Sequence, residues 1–475
     1  MKYKKILCWL LISFFVISLS GCGGSSHSNV SDDSNTNTDT EQNKDEDTNE
    51  NEDTNENENT DDVTTDSNYL QESDITINLT EEVTEDDEHY KKFSSGTNKI
   101  TNTKIIKTGD ASTSNSDYAD WYGYNAAVLN SGGTLTISEC VFNTNGSHAN
   151  AIFSYGSDSV VNVSRTVITT SGNNSGGIMT TGGGTMNATN LTVKTSGGSS
   201  AAIRSDKGGG TVTVNKGYYE TSGIGSPAVY STADISVSNA YLKSTTAQGI
   251  VIEGKNSVNL NNCTVYADNT TVNGSNTSYK QGVMIYQSGS GDADSGTAEF
   301  EMTDSTFLNY TGDIFFINNT VANITLENST ITNNDSSGQF LRAEAAGWGT
   351  SGSNGGKVNL NASSQNIDGN ITVDSVSGLN LYLADSSIFN GAINSDGSTY
   401  VEISGSTWNL TADSEITSLT CEADSINLNG HTLTVNGTAY TSGTESSGTA
   451  ISFNSDSSSG NNNNSNNTPP TKPGN

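Results

Sequence analysis

The chain has 475 residues, and its 53 aspartates and glutamates outnumber its 20 lysines and arginines, giving a formal charge of −33 at pH 7. A surface this acidic repels phosphate backbones and anionic head groups, so nucleic acid is excluded as a partner, whereas small cations and neutral sugars are accommodated. The chain has 49 glycines and only 4 prolines, and no helical heptad pattern occurs, so a helical bundle is excluded too.

Residues 1–22 have the organisation of an export signal. Three lysines precede an apolar run from Ile6 to Leu19, which is shorter than the roughly 20 residues of a spanning helix. The following Leu19-Ser20-Gly21-Cys22 resembles the lipobox of bacterial lipoproteins. The resemblance implies that Cys22 is acylated and that the lipid anchors the protein to the outer side of a bacterial membrane, at the cell surface. An ordinary signal peptide, or an anchor helix with a chance cysteine, is the alternative.

Residues 23–67 consist of Asn, Thr, Ser, Asp and Glu, with almost no large apolar side chain. Such a segment cannot bury enough apolar surface to offset its conformational entropy, and its like charges repel, so we expect a disordered acidic tether. It is interpreted as a stalk that lifts a domain away from the membrane, or as a linker without a selected length. Residues 452–475 are expected to form a second disordered end.

Residues 68–451 are rich in Gly, Ser, Thr and Asn, with Val and Ile in short alternating runs that favour strands. A template recurs in which two alternating apolar residues are followed by a two-residue step, a small residue and a large apolar residue. The copies of this template begin at Leu135, Val161, Met186, Val212, Ile235, Val258, Phe300, Ile324, Val358, Leu381 and Val401. The copy that begins at Val358 places Gln365 in the position of the large apolar residue. The copy that begins at Leu381 places Ser386 in the position of the small residue and Ile388 in that of the large one.

The early copies lie about 23 to 26 residues apart, and a fixed period in this range indicates a solenoid. Short strands without helical segments predict an all-β, right-handed parallel β-helix of about 12–13 coils. A leucine-rich repeat lacks support because its own consensus is missing, and an antiparallel sandwich would not keep one template in register. Cys140 and Cys263 share the small position in distant coils, which predicts buried thiols and no disulfide.

The parallel β-helix is the fold of pectin lyases and polygalacturonases, and the pattern resembles that superfamily across roughly residues 68–440. The sequence strings that carry polygalacturonase chemistry are missing, so we expect no catalytic residues. Arg204 and Asp206 are the weak catalytic candidates, because a lyase needs a base beside carboxylates. A solvated turn before Gly208 is the favoured interpretation. Replacing either residue by alanine is expected to leave activity unaltered, since neighbouring coils supply no further carboxylate.

Other candidates lie outside the regular repeats. Trp121, Tyr122 and Tyr124 are interpreted equally as a surface for stacking on sugar rings or as a cap over the open end of the core. Trp348 lies in the Gly-rich loop 346–356 and is a further ligand-binding candidate. The loop region 270–296 contains Asp292 and Asp294, whose spacing resembles that of calcium loops but lacks a following glutamate. Calcium is therefore the one candidate metal, and no other cofactor is expected. The loops 270–296 and 346–356 either belong to binding surfaces or have no binding role.

As a whole the chain resembles adhesin-like bacterial surface proteins, in which an export signal, a spacer and a Gly-, Ser-, Thr- and Asn-rich β-helix follow one another. This resemblance implies a non-catalytic, lipid-anchored surface protein, expected to act as a monomer, that binds glycans or cell-surface molecules. Two alternatives stay open: a polysaccharide lyase or glycoside hydrolase of the pectin-lyase-like fold, and a structural spacer of the cell envelope.

Overall fold

The computed structural model describes residues 68–112, 116–272 and 278–453. Cys22, the expected tether and all but the first two residues of the expected tail lie outside this part of the chain. The N-terminal strands are β1 (Leu79–Val83), β2 (Lys91–Phe93), β3 (Thr97–Thr101), β4 (Thr103–Lys107), β5 (Val128–Asn130), β6 (Gly133–Thr144), β7 (Ile152–Tyr155), β8 (Ser159–Thr170), β9 (Ile178–Thr181), β10 (Gly184–Thr195), β11 (Ile203–Ser205), β12 (Gly210–Thr221), β13 (Val229–Ser231), β14 (Asp234–Ser244), β15 (Ile250–Glu253), β16 (Ser257–Asn261) and β17 (Thr264–Ala267).

A short helix, α1 (Ser116–Tyr122), and a 3₁₀ turn at Glu72–Asp74 are the helical elements in the described ranges. The remaining strands are β18 (Gln281–Tyr286), β19 (Thr297–Thr303), β20 (Thr306–Asn309), β21 (Asp313–Asn318), β22 (Val321–Glu327), β23 (Thr330–Asn333), β24 (Gln339–Ala343), β25 (Lys357–Ser363), β26 (Asn366–Asp368), β27 (Asn370–Val373), β28 (Gly378–Ala384), β29 (Ile388–Asn390), β30 (Ile393–Ser395), β31 (Ser398–Ile403), β32 (Thr407–Asn409), β33 (Ser414–Ile416), β34 (Ser418–Cys421), β35 (Ile426–Asn427), β36 (Leu433–Val435) and β37 (Thr438–Ala439).

The strands stack as a parallel β-helix, which confirms the fold expected from the repeat. The first sheet contains 18 strands and the second contains 12, with β2, β5, β7, β9, β11, β13, β15, β18, β21, β24, β27 and β30 in the second. Each strand pairs in parallel with its equivalent in the next coil, and the template positions stay in register: Leu135 pairs with Val161, and Met186 with Val212. The apolar inward residues form one continuous core along the coils.

The two-residue step of the template has a backbone cause. Its second residue adopts a positive φ, as at Glu139 (53°), Asn239 (55°) and Asn262 (51°). Asparagine and aspartate tolerate this left-handed conformation better than most residues, which explains their frequency at the step. The backbone therefore bends there, and the alternation of inward and outward side chains restarts beyond the bend.

The later copies replace the small apolar residue with hydrogen-bonding side chains. The Ser305 hydroxyl accepts the Cys263 N–H at 2.9 Å, and the Ser387 hydroxyl accepts the Gln365 N–H at 3.0 Å. Gln365 thus fills the small position and not the large one, which Ile367 occupies. The expected placement of Ile388 is also wrong.

In the copy that begins at Leu381, the buried residues after the step are Ser387 and Phe389, whereas Ile388 is 36% exposed. Asp385 and Ser386 both have positive φ, so the bend in this coil is one residue longer than in the template. Cys140, Cys263 and Cys421 are buried and unpaired, as the spacing of the first two predicts.

Segments at both ends of the described chain lie against the outside of the coils. Leu70 and Ile75 pack on Val141 and Val167. At the C-terminal end β36 turns back into β37, the one antiparallel strand pairing in the described ranges. No helix within these ranges combines the length and the apolar character needed to cross a membrane.

Candidate functional site

A cleft of about 490 Å³ lies on the outer face of the second sheet, across strands β11, β13, β15 and β18. We call it the Arg204 cleft. Its walls and floor combine charged groups with aromatic and apolar side chains. It is lined by Asp120, Trp121, Asn174, Ser199, Ala201, Arg204, Asp206, Gly225, Pro227, Tyr230, Gln248, Val251, Met284, Tyr286, Ser290 and Asp292.

Strand alternation places the floor of the cleft. Residues next to one another along a strand point to opposite faces of the sheet, so Ile203 and Val229 enter the core whereas Arg204 and Tyr230 point outward. Parallel pairing aligns the outward residues of successive coils into one column. From β9 to β21 the column reads Met179, Arg204, Tyr230, Val251, Met284 and Phe316.

Helix α1 forms one wall of the cleft and packs on the side of the sheet. The Trp121 carbonyl accepts a hydrogen bond from the Thr181 hydroxyl at 2.7 Å. Tyr122 is 2% exposed and meets the ring of Tyr155 edge-on at 5.1 Å. The segment therefore lies on the outer face of the sheet, whereas the side of β5 and β6 where a cap was expected is paired with β2, β3 and β4.

Of the three aromatic candidates before β5, only Trp121 lines the Arg204 cleft. Tyr124 instead stacks on Tyr118, with ring centroids 5.7 Å apart. The Lys207 ammonium lies over the Trp121 ring, 4.4 Å from its centroid. Trp121 therefore presents an aromatic surface at the rim of the cleft that already accommodates a cation.

The opposite wall is the loop after β18, and a buried carboxylate holds it in place. Glu253 is 1% exposed. It accepts hydrogen bonds from the hydroxyls of Tyr230 (2.7 Å) and Tyr286 (2.9 Å), and from Ser288 and Ser290 in the loop. Burial, with nearby charges, raises the pKa of both tyrosines well above the usual value, so both remain donors.

Arg204 is the centre of charge in the cleft. Its Nη2 lies 3.1 Å from an Asp206 carboxylate oxygen and 3.7 Å from one of Asp120, and its Nη1 donates to the Asn174 carbonyl at 3.1 Å. Asp120 also contacts His148 Nδ1 at 2.9 Å. Arg204 and Asp206 are each only 8% exposed, so the interpretation of this segment as a solvated turn is wrong.

The surrounding charges fix the protonation of Arg204. Burial alone would lower the pKa of the guanidinium, but the carboxylates of Asp120 and Asp206 outweigh burial and raise it. A base in a lyase must lose its proton near neutral pH. The guanidinium of Arg204 is therefore held in its protonated form by the two carboxylates beside it.

Asp206 titrates in a different range from an ordinary aspartate. Burial raises the pKa of Asp206 to about 7, Arg204 opposes the rise, and the charges of Asp292 and Asp120 add to it. The cleft thus contains a carboxyl group that exchanges its proton near neutral pH.

The stability of the fold should depend on pH through Asp206. Its pKa is about 7 in the folded protein and about 3.9 in an unfolded chain, so between these values only the folded state holds the proton. The stabilising contribution is complete below about pH 4 and is lost as the pH rises through about 7. The melting temperature of the wild type minus that of Asp206→Asn should therefore fall from pH 4 to pH 7. A difference that is constant over this range would contradict the titration of Asp206.

The remaining candidates occupy different positions. Asp292 lines the Arg204 cleft, whereas Asp294 pairs with Lys255 at 2.8 Å. Within the described ranges no group of three or more His, Cys, Asp or Glu side chains is arranged to hold a metal ion. The Trp348 ring lies 6.0 Å from that of Tyr286 and packs with it beside the cleft.

Sequence reasoning missed the carboxylates that complete the site. Asp120 comes from α1 and Asp292 from the loop after β18, so the premise that nothing completes a site around Arg204 is wrong. Glu253, Tyr230 and Tyr286 were missed as well. The available signal was the outward column, since strand alternation places Arg204 and Tyr230 side by side.

The comparisons give no relative for this chain. No protein-family model matches it, and searches of curated proteins and of solved structures return no match.

Proposed function

We propose that this protein binds glycans non-catalytically at the bacterial cell surface and that the Arg204 cleft is the binding site. The observation that carries the proposal is the cleft itself: a concave site of about 490 Å³ in which aromatic faces and buried polar groups converge. Ligand sites combine these features, because apolar walls supply affinity and a few fixed polar groups supply orientation.

The chemistry of the cleft suits a sugar. Tyr230 offers a flat surface for the apolar face of a pyranose ring, and Trp121 offers its ring at the rim, where a sugar would share it with the Lys207 ammonium. The side chains of Asp206 and Arg204 form an ion pair, and Arg204 also donates a hydrogen bond to the backbone carbonyl of Asn174. Sugar hydroxyls both donate and accept hydrogen bonds, so they can meet the carboxylate and the guanidinium without breaking this arrangement.

Surface display rests on the N-terminal sequence. The lipobox-like Leu19-Ser20-Gly21-Cys22 and the acidic segment 23–67 would hold the β-helix on a lipid-anchored stalk. Processing in cells tests this part directly. An inhibitor of signal peptidase II should leave an uncleaved precursor, and normal processing in its presence would contradict lipidation at Cys22.

Glycoside cleavage is a second candidate function, and one observation favours it. Asp206 and Asp120 both contact Arg204 Nη2, which places two carboxyl groups near each other in the cleft. Inverting and retaining hydrolases each use such a pair, one member of which has a raised pKa. Release of new reducing ends from a bound glycan, abolished in Asp206→Asn, would establish cleavage in place of simple binding.

Trp121→Ala should weaken glycan binding by at least about ten-fold, which is about 1.4 kcal/mol, because it removes the stacking surface at the rim. A glycan array first identifies a bound glycan, and isothermal titration calorimetry with the full-length protein then gives affinities for both variants. Tyr310→Ala is the matched control, since Tyr310 is an exposed tyrosine stacked on Tyr266 and does not line the cleft.

Two results would contradict the proposed site. Silence of the wild-type protein on the array would remove glycan binding altogether and favour a structural spacer. Equal affinity of the wild type and Trp121→Ala, both with unchanged melting temperature, would place the binding surface elsewhere on the β-helix.

A further inference from the structure

We propose that the sugar bound in the Arg204 cleft carries a free amine, so that the ligand class is an amino sugar whose ammonium pairs with Asp292. This inference rests on the proposed glycan binding and adds the chemical identity of the ligand. It is carried by the arrangement of charges around the cleft.

The carboxylates of the cleft outnumber its buried cation. Asp120 and Asp206 both contact Arg204. Asp292 lines the same cleft, and within the described ranges no cationic side chain lies within ion-pair distance of its carboxylate. Arg204 is thus shared between Asp120 and Asp206, so the carboxylate of Asp292 is the one that a cationic group of the ligand can pair with.

The adjoining surface shows why Asp292, and not its neighbour, is available. A second cavity, of about 300 Å³, shares Asp292 with the cleft and is also lined by Lys207, Lys255 and Asp294. Lys255 and Asp294 pair with each other at 2.8 Å. The loop thus presents two aspartates in different environments. Asp294 is paired with Lys255, whereas Asp292 lines the cleft and has no cationic side chain of the described ranges within ion-pair distance.

The loop fixes Asp292 in this position. Its backbone N–H donates to the Ser290 hydroxyl at 3.3 Å, and Ser290 in turn donates to the buried Glu253 at 3.3 Å. The same Glu253 accepts from Tyr230 and Tyr286, two aromatic residues of the cleft. The backbone of Asp292 and the aromatic residues Tyr230 and Tyr286 are therefore held by one hydrogen-bond network.

An ammonium is the group that this arrangement fits. It forms a charge-assisted hydrogen bond with a carboxylate, and it is attracted to aromatic faces. The Lys207 ammonium over Trp121 shows that this rim holds such a group. An N-acetyl group has no charge to offer Asp292, and a uronate would add a further anion beside three aspartates.

The test compares three oligosaccharides of equal length by isothermal titration calorimetry with the full-length protein: β-1,4-linked glucosamine, its N-acetylated counterpart and a polygalacturonate. At a mildly acidic pH the free amine is protonated. The glucosamine oligomer should bind at least about ten-fold more tightly than the N-acetylated oligomer, and the polygalacturonate should bind most weakly.

Asp292→Asn should abolish the preference for the free amine while leaving the melting temperature unchanged, because Asp292 lies in a partly exposed loop. Asp294→Asn is the matched control, since it removes the same charge two residues away from a group that already has a partner. It should retain the preference.

Equal affinities for the free and N-acetylated oligomers would overturn the amino-sugar inference and leave the proposed glycan binding intact. Loss of the preference in both aspartate variants would also overturn it, because a general charge effect would then explain the selectivity. If none of the three oligomers binds, the amino-sugar inference fails. The glycan array then tests separately whether the protein binds any glycan.

Discussion

Phe142→Asp is expected to lower the free energy of unfolding by about 4 kcal/mol or more, because it places an unpaired carboxylate in a dry stack. Phe142 is fully buried and lies between Ile105 and Ile168 of the adjacent coils. Urea denaturation followed by circular dichroism measures the loss.

Thr136→Asp is the control in the same strand. Thr136 points outward between Lys99 and Asn162 of the adjacent coils, so a new carboxylate there stays solvated beside a cation. Its effect should lie within about 0.5 kcal/mol. Equal losses for the two variants would mean that the inward and outward positions of β6 are wrongly assigned.

At a pH above about 7, where Asp206 is ionised, Arg204→Met should destabilise the protein by about 3–5 kcal/mol, because it leaves the carboxylate of Asp206 buried without its cation and removes the bond to the Asn174 carbonyl. Replacing a whole buried pair costs far less than breaking it. The double variant Arg204→Met, Asp206→Leu should therefore recover most of the lost stability.

A double-mutant cycle of unfolding free energies measures the coupling between Arg204 and Asp206. Strictly additive losses would show that the two groups do not stabilise each other. A loss close to zero in Arg204→Met would support the solvated-turn interpretation that the burial of Arg204 opposes.

The fold could be predicted because its information is local and repeated. Each coil repeats the alternation of Leu135 and Ile137 and the step before Cys140, so many weak signals support one architecture. The prediction failed where a coil departs from the template. In the coil of Leu381 the bend contains an additional residue, which shifts the buried residue from Ile388 to Phe389.

The site was only half predictable. Arg204 and Asp206 lie on a regular strand and its exit, where the repeat fixes their position. Asp120 and Asp292 come from segments that interrupt the repeat, and no period gives the path of such segments. Their approach to Arg204 depends on long-range packing, such as the bond from Thr181 to the Trp121 carbonyl, which no sequence pattern specifies.

The turn from β36 into β37 has a consequence for how this molecule meets its own copies. The exposed edge of a parallel sheet is a template on which another chain can add a strand, and end-to-end growth of β-helices into fibres would start there. Here the hairpin pairs β36 with a strand of opposite direction only two residues long. A further coil would find neither the parallel direction nor the length it needs at that position, so the hairpin disfavours the addition of another copy at this edge.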